Sequence, residues 1–260
     1  MGVPFLEALL PRIDLILLMW IRVMGLFTTA PVWSNRQVPV QVRVALSFAI
    51  GLLLHGLIPQ PAPAVNLVQL VPIALKELLV GMVIGFVVAM AFAAFQFAGE
   101  LLDINIGFTM MNVLDPMTNT QSPLLGNFLY ILALLVFFTI NGHHMLFEAI
   151  MDSYRVVPVD GAVVSGALTD HLVQSAAKIF VIGLQVAIPV LAALLLTAVA
   201  LGIMNRTVPQ MNVFVMGLPV QMFVGIALLA VILPLYLAAL RAVFGGLFDD
   251  IQLVIRLLKG

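Results

Sequence analysis

The sequence predicts an all-α, membrane-associated protein, on two observations. Of its 260 residues, 63% are hydrophobic and only 9% are charged. A soluble domain carries about 45–50% and about 25%, respectively. Apolar blocks also follow one another from end to end, several of them near the roughly 20 residues that cross hydrocarbon. Such a chain cannot cover its own surface in water, so lipid or a larger apolar assembly is its expected solvent. A single membrane domain over residues 1–260 is the economical organisation. Net charge is −1, from 11 basic and 12 acidic residues with no basic run, so no nucleic-acid partner is expected. Cysteine is absent, which excludes a disulfide framework, thiolate chemistry and Cys-ligated metals.

The first block is Ile13–Val32. Its run exceeds the roughly 7–15 apolar residues of a signal peptide, and Pro31 follows Thr28-Thr29-Ala30 too closely for easy cleavage, so a retained helix is expected. Val44–Ile58 is shorter and is followed by a stiff spacer, Pro59-Gln60-Pro61-Ala62-Pro63. The third block is Leu70–Phe97. Lys76 and Glu77 stand at its start and read as an anchor at headgroup level, because charge in lipid needs a partner or polar surroundings. Gly81, Gly85, Ala89 and Ala93 recur every fourth residue along it. That spacing cuts a groove of small side chains, suited to close helix packing inside the chain or against another subunit. Gly99–Pro123 is a longer connection. Leu124–Ile140 is the fourth block, and Asn141–His171 gathers Glu148, Asp152, Asp160 and Asp170.

The fifth block, Leu172–Met204, and the sixth, Val213–Val243, flank a tight polar turn at Met204–Met211. Pro189, Pro219 and Pro234 place kinks in them, because each removes a backbone donor and crowds the preceding turn. Phe244–Leu258 is amphipathic and is expected to lie in an interface or against a partner. Counting Lys and Arg near block ends favours a cytoplasmic N-terminus by one residue.

Chemistry-bearing residues are few. Arg22 lies deep in the first helix and needs a counter-charge, for which Asp14 is poorly placed. His143 and His144 are adjacent, so on a helix they diverge by about 100° and do not chelate one ion together. There is no H-E-x-x-H, no G-x-S-x-G and no phosphate-binding glycine pattern. No catalytic, cofactor-binding or metal residue is therefore assigned. The segment Ile106–Pro123 is unusual in mixing Phe108, Met110, Met111, Val113 and Met117 with Asn112, Asp115, Asn119 and Thr120. Methionine is flexible and conforms to varied surfaces. On composition alone, an ordinary loop with stray apolar residues is the simpler reading.

Five segments in register resemble the FliR family of flagellar type III protein-export gate subunits, related to the SctT subunits of injectisomes. They are Ala30-Pro31-Val32-Trp33 with Pro39 and Arg43; Lys76-Glu77-Leu78-Leu79-Val80-Gly81; Gly99-Glu100-Leu101-Leu102-Asp103 with Gly107-Phe108 and Asp115-Pro116; Asn141-Gly142-His143-His144; and Arg206-Thr207-Val208-Pro209-Gln210-Met211-Asn212-Val213-Phe214 with Gly217-Leu218-Pro219 and Gly225. The resemblance implies long kinked helix hairpins packed with FliP-like and FliQ-like subunits into a helical export gate in the bacterial inner membrane. FlhB and FlhA dock nearby, and much of the flagellar basal-body cone projects to the periplasmic side. Unfolded flagellar proteins pass through its pore.

The resemblance also implies that residues 106–122 plug that pore, with Phe108, Met110, Met111, Asp115, Pro116 and Met117 as candidate plug residues. Arg206, Pro209, Gln210 and Asn212 then fix a turn and a subunit contact, beside the packing positions Gly81, Gly85, Ala89 and Ala93. No cofactor is implied. Two rival readings are a small secondary transporter or ion channel, with interrupted helices near Pro189 and Pro219 framing a midplane site, and an intramembrane enzyme resting on the His pair.

Overall fold

The structure is a computed structural model, and it describes residues 13–35, 38–58, 67–109, 123–207 and 213–259. Every regular element among them is a helix: α1 Ile13–Thr29, α2 Pro31–Ser34, α3 Val40–Leu57, α4 Leu67–Ile106, α5 Leu124–Thr139, α6 Gly142–Val156, α7 Gly166–Thr207 and α8 Val213–Leu257. Helices α3, α4, α7 and α8 are each long and apolar enough to cross a membrane, and α5 with α6 passes only as a bent pair. The break between those two falls at Asn141, which adopts φ 59 and ψ 31. Asparagine is among the few residues that visit this left-handed region readily.

The apolar blocks mark the helices, with three departures. Helix α4 continues through Gly99–Asp103 to Ile106 rather than ending at Phe97. Helix α6 occupies half of the acidic connection. It buries Leu146, Ala149, Ile150, Ser153 and Tyr154 on one stripe while Glu148 stays outside, a helical period that the acids obscure. Helix α8 runs unbroken past Pro219 and Pro234 and absorbs the C-terminal amphipathic segment.

The described residues group into two compact units: parts of 1–90, 141–175 and 245–260 form the first, and 91–140 with 176–244 the second. Helices α4, α7 and α8 contribute to both.

In the first unit, α1 is the central element and buries Leu15, Leu18, Met19, Val23 and Leu26. Helix α3 lays only Ser47, Gly51 and Leu54 inward, and Trp20 Nε1 donates a 2.9 Å hydrogen bond to Ser47 Oγ. Phe27 stacks on Trp33 at 4.4 Å, and Trp33 meets Phe147 at 5.9 Å. The end of α8 buries Leu247, Ile251, Val254, Ile255 and Leu258. Its apolar face is thus covered by this chain itself, not left for a partner as its amphipathic pattern suggests. Val163 N–H closes the contact by donating to Leu258 O at 2.9 Å, and Gln252 Nε2 donates to Asp152 Oδ2 at 2.9 Å.

In the second unit, rings fill the core. Phe92 lies 5.0 Å from Phe244 and 5.5 Å from Phe137, and Phe137 lies 5.5 Å from Phe244.

Candidate functional site

Two polar constellations stand in this apolar chain, one in each unit. The first begins with the crossing of α1 and α4. Glu77, Gly81 and Gly85 share one face of α4, four residues apart, and meet the α1 face that carries Arg22, Gly25 and Thr29. A Cβ added at Gly85 would lie 2.8 Å from Leu26 O and 3.0 Å from Ala30 N, and one at Gly25 would lie 3.0 Å from Met82 N. Only bare backbone permits that approach, and Thr29 Oγ1 donates across it to Met82 O at 3.1 Å.

The crossing brings the Glu77 carboxylate to the Arg22 guanidinium. Nε donates to Oε2 at 2.6 Å and Nη2 to Oε1 at 3.0 Å, with both side chains fully buried. Arg22 Nη1 donates to Ser153 Oγ at 3.0 Å and to Val157 O at 3.1 Å. The guanidinium carbon sits 3.9 Å over the Tyr154 ring, and Tyr154 OH donates to Met19 O at 3.2 Å. Asp160 N–H donates to Glu77 Oε1 at 3.2 Å, from a backbone at φ 68. Lys76 Nζ pairs with Asp160 Oδ1 at 2.8 Å, half-exposed. Arginine offers five donors in a planar fork, and four are bonded here. A buried pair so satisfied fixes geometry more than it adds net stability. Glu77 is thus an interior counter-charge and not the headgroup anchor its place in the sequence suggests.

The second constellation lies at the root of the 107–123 connection. Asp103 on α4 is buried and reaches the first turn of α5. Leu125 N–H donates to Asp103 Oδ1 at 3.0 Å and Oδ2 at 2.9 Å, and Gly126 N–H donates to Oδ2 at 3.1 Å. The capping position of α5 itself is Pro123, which supplies no side-chain cap. Asp103 therefore satisfies the orphan donors from another helix, and its charge is favourable at the positive end of α5. Gly99 makes this possible: a Cβ there would lie 2.5 Å from Gly126 Cα. The chain leaves α4 through Gly107 at φ 96.

Of the candidate plug residues, Phe108 is half-buried just after that turn, while Met110, Met111, Asp115, Pro116 and Met117 lie outside the described residues. Pro209, Gln210 and Asn212 do too. Gly81, Gly85 and the half-buried Ala89 belong to the first unit, and the half-buried Ala93 to the second. Arg206 is exposed near the end of α7. The His143 and His144 rings lie 4.2 Å apart. Among the described residues no group of three or more His, Asp or Glu is placed to hold a metal ion. Sequence reasoning missed the roles of Glu77, Ser153 and Asp103; an acid inside an apolar helix was the available signal.

Comparison with known proteins gives this architecture a family. The family described as bacterial export proteins, family 1, matches residues 13–247. The chain is 37% identical over 232 residues to the flagellar biosynthetic protein FliR of Bacillus subtilis (strain 168), covering 88% of this chain and 89% of that one. It is 32% identical over 229 residues to the protein of that name from Escherichia coli (strain K12), with 88% of each covered. The Aquifex aeolicus (strain VF5) protein of that name is 27% identical over 245 residues, 94% of this chain and 95% of that one. These names describe biosynthetic components and not enzymes. With a match over almost its whole length, the chain belongs to the bacterial export proteins, family 1, as a membrane component of flagellar biosynthesis and export.

Proposed function

We propose that the chain is a core pore and gate subunit of the flagellar type III export apparatus. In this reading it joins FliP-like and FliQ-like subunits in the bacterial inner membrane, projects toward the periplasm, and passes unfolded flagellar proteins. FlhB and FlhA dock beside it. Residues 106–122 plug the conduit, with Met110, Met111 and Met117 as a deformable seal and Phe108, Asp115 and Pro116 shaping it.

The observation that supports this best is the Asp103 clamp. Asp103 and the Leu125–Gly126 turn hold both ends of the connection at one root, so the intervening residues leave and return at the same place. A segment tethered in this way can obstruct a passage and yield without its helices separating. The buried charges of the first unit are bonded to each other and to backbone, an arrangement of support rather than of solute binding. Deleting residues 110–120 tests the reading: cells should leak ions and small solutes while the subunit complex still assembles. Unchanged permeability in an assembled deletion complex defeats the plug.

A further inference from the structure

The C-terminal end of α4 is gripped from a second side. Residues 91–140 and 176–244 form one unit, and within it α8 runs antiparallel to α4. Phe244 meets Phe92 at 5.0 Å, and Gly225 faces Ile106 at the other end. Leu229, Tyr236, Leu240 and Phe244 are buried along this length of α8. Leu218 lies seven residues before Gly225, about two turns away on the same face.

The two contacts at this end are of opposite kind. At Gly225, α8 supplies the hole: an added Cβ would lie 2.6 Å from both Cδ1 and Cγ1 of Ile106, whose side chain is fully buried. At Gly107, α8 supplies the knob. The chain leaves α4 through Gly107 at φ 96, and a Cβ there would lie 2.6 Å from Leu218 Cδ2. The glycine answers two demands together, a left-handed backbone and room for the leucine. The half-buried Leu218 therefore rests on the turn that aims the 107–123 connection. Asp103 holds the α5 side of the same root, and Leu218 covers the exit.

Leu218 also stands at the weakest point of α8. Gly217 precedes it and Pro219 follows it, inside the helix. Pro219 has no N–H for the carbonyl four residues before it, and its ring crowds that turn. Glycine in a helix interior weakens the junction further, and kinks concentrate at such residues. Gly225 lies beyond the junction, so the first turns of α8 can tilt while the Ile106–Gly225 contact holds.

We propose that Leu218 is a positioning residue for the connection: seated on Gly107, it sets the direction in which the chain leaves α4, and tilting of the first turns of α8 about Gly217–Pro219 withdraws it and frees the exit. The contact regulates the connection from α8, and in this it rests on the reading of residues 106–122 as a plug. Asp103 keeps the root closed in both arrangements, because its bonds run to α5 and not to α8. Packing alone would be served as well by a larger residue at 107 and an unbroken helix at 219.

The chain lacks cysteine, so a single spin label at Thr109→Cys, an exposed position just past Gly107, reports the exit in the assembled apparatus independently of any plug. Leu218→Ala should raise the mobile fraction of that label, and Leu218→Met should leave it unchanged. Leu218→Val, which trims less, replaces the alanine variant if its complex does not assemble. Pro219→Ala should lower the mobile fraction, since it restores a donor to α8. Leu240→Val, about six helical turns further along α8, should lower the melting temperature of the complex and leave the label as it was. The ion leak of cells should rise on the order of tenfold in Leu218→Ala, the weight of about half a leucine side chain lost from the closed arrangement alone. It should stay at the wild-type level in Leu218→Met and Leu240→Val.

An unchanged label in Leu218→Ala overturns the proposal. Equal mobility in Leu218→Ala and Leu240→Val does so too, by reducing Leu218 to ordinary packing. Deleting residues 110–120 separates this proposal from the plug. If the deletion leaks and Leu218→Ala does not, α8 does not regulate the connection and the plug stands. If the deletion does not leak while the label responds, the plug falls and Leu218 still sets the exit.

Discussion

Truncating Glu77 strands a guanidinium that has no water to turn to. Breaking a buried pair from one side costs about 3–5 kcal/mol, whereas replacing both charges with apolar groups of similar volume is often neutral. Arg22→Met and Glu77→Leu are therefore each expected to lower the thermal stability of the purified complex sharply, and the double substitution to restore most of it. Additive losses in the double variant would remove the pair from its interior role. Asp103 poses a different case, because its carboxylate is opposed by backbone N–H groups and not by a cation. Asp103→Asn keeps one acceptor oxygen and loses charge at the α5 terminus, worth about 0.3–1 kcal/mol and up to about 2 when buried. Asp103→Ala leaves two buried donors without a partner at about 1–3 kcal/mol each. The melting temperature should fall in the order wild type, Asn, Ala, and an Asn variant as damaged as Ala would mean that charge, not acceptance, is what α5 needs. The need of Arg22 for a counter-charge was legible from its depth in an apolar helix. Its partner was not, since Glu77 lies 55 residues away and is delivered only by the crossing of two helices.

Helices were the most legible level, because hydrophobic length alone separates spans from connections in so oily a chain. The small residues on α4 announced a close packing face by their fourfold spacing, and Gly81 and Gly85 lie against α1. What the spacing could not say was which helix fills the groove, since a glycine stripe fits any backbone. The crossing makes a sharp contrast between glycines. Gly81 faces Arg22 O, while at Gly202 nothing lies within 4 Å of an added Cβ. Gly81→Val should destabilise by about 1–3 kcal/mol or more through overpacking and should also disturb the Arg22–Glu77 pair one turn away. Gly202→Ala, in the interior of α7, should be neutral or stabilise by up to about 1 kcal/mol as helix propensity improves. Thermal melts of the two variants decide the matter, and equal tolerance at Gly81 and Gly202 would contradict the crossing. Helix α6 and the last nine residues of α4 escaped the sequence for one reason. Acids on an outer face or at a cap depress local hydropathy without ending a helix, and hydropathy cannot tell a solvated acid from a capping one.

At the scale of the whole molecule, most apolar surface on α3, α7 and α8 is left open, so the native state of this chain is completed by lipid and by neighbouring subunits. The Asp103 clamp roots the 107–123 connection in one place, and that root is what the conduit reading builds on. The reading makes a demand that neither stability nor leakage can meet: a passing polypeptide must come within bonding distance of the connection. Because the chain lacks cysteine, a single thiol can report this without background. With Met111→Cys in the assembled apparatus, an export substrate stalled part-way by a folded C-terminal domain and carrying its own cysteines should form a disulfide-linked species on mild oxidation. Leu196→Cys on α7 and Phe223→Cys on α8, both exposed, are the comparison positions and should link less with the same substrate. The adduct should vanish when the substrate lacks its export signal, which separates passage from chance collision. Should Met111→Cys stay unlinked while export stalls normally, cargo does not pass the connection. Should the α7 and α8 positions link instead, the conduit runs along those helices, and the clamp at Asp103 serves only to close the α4–α5 turn.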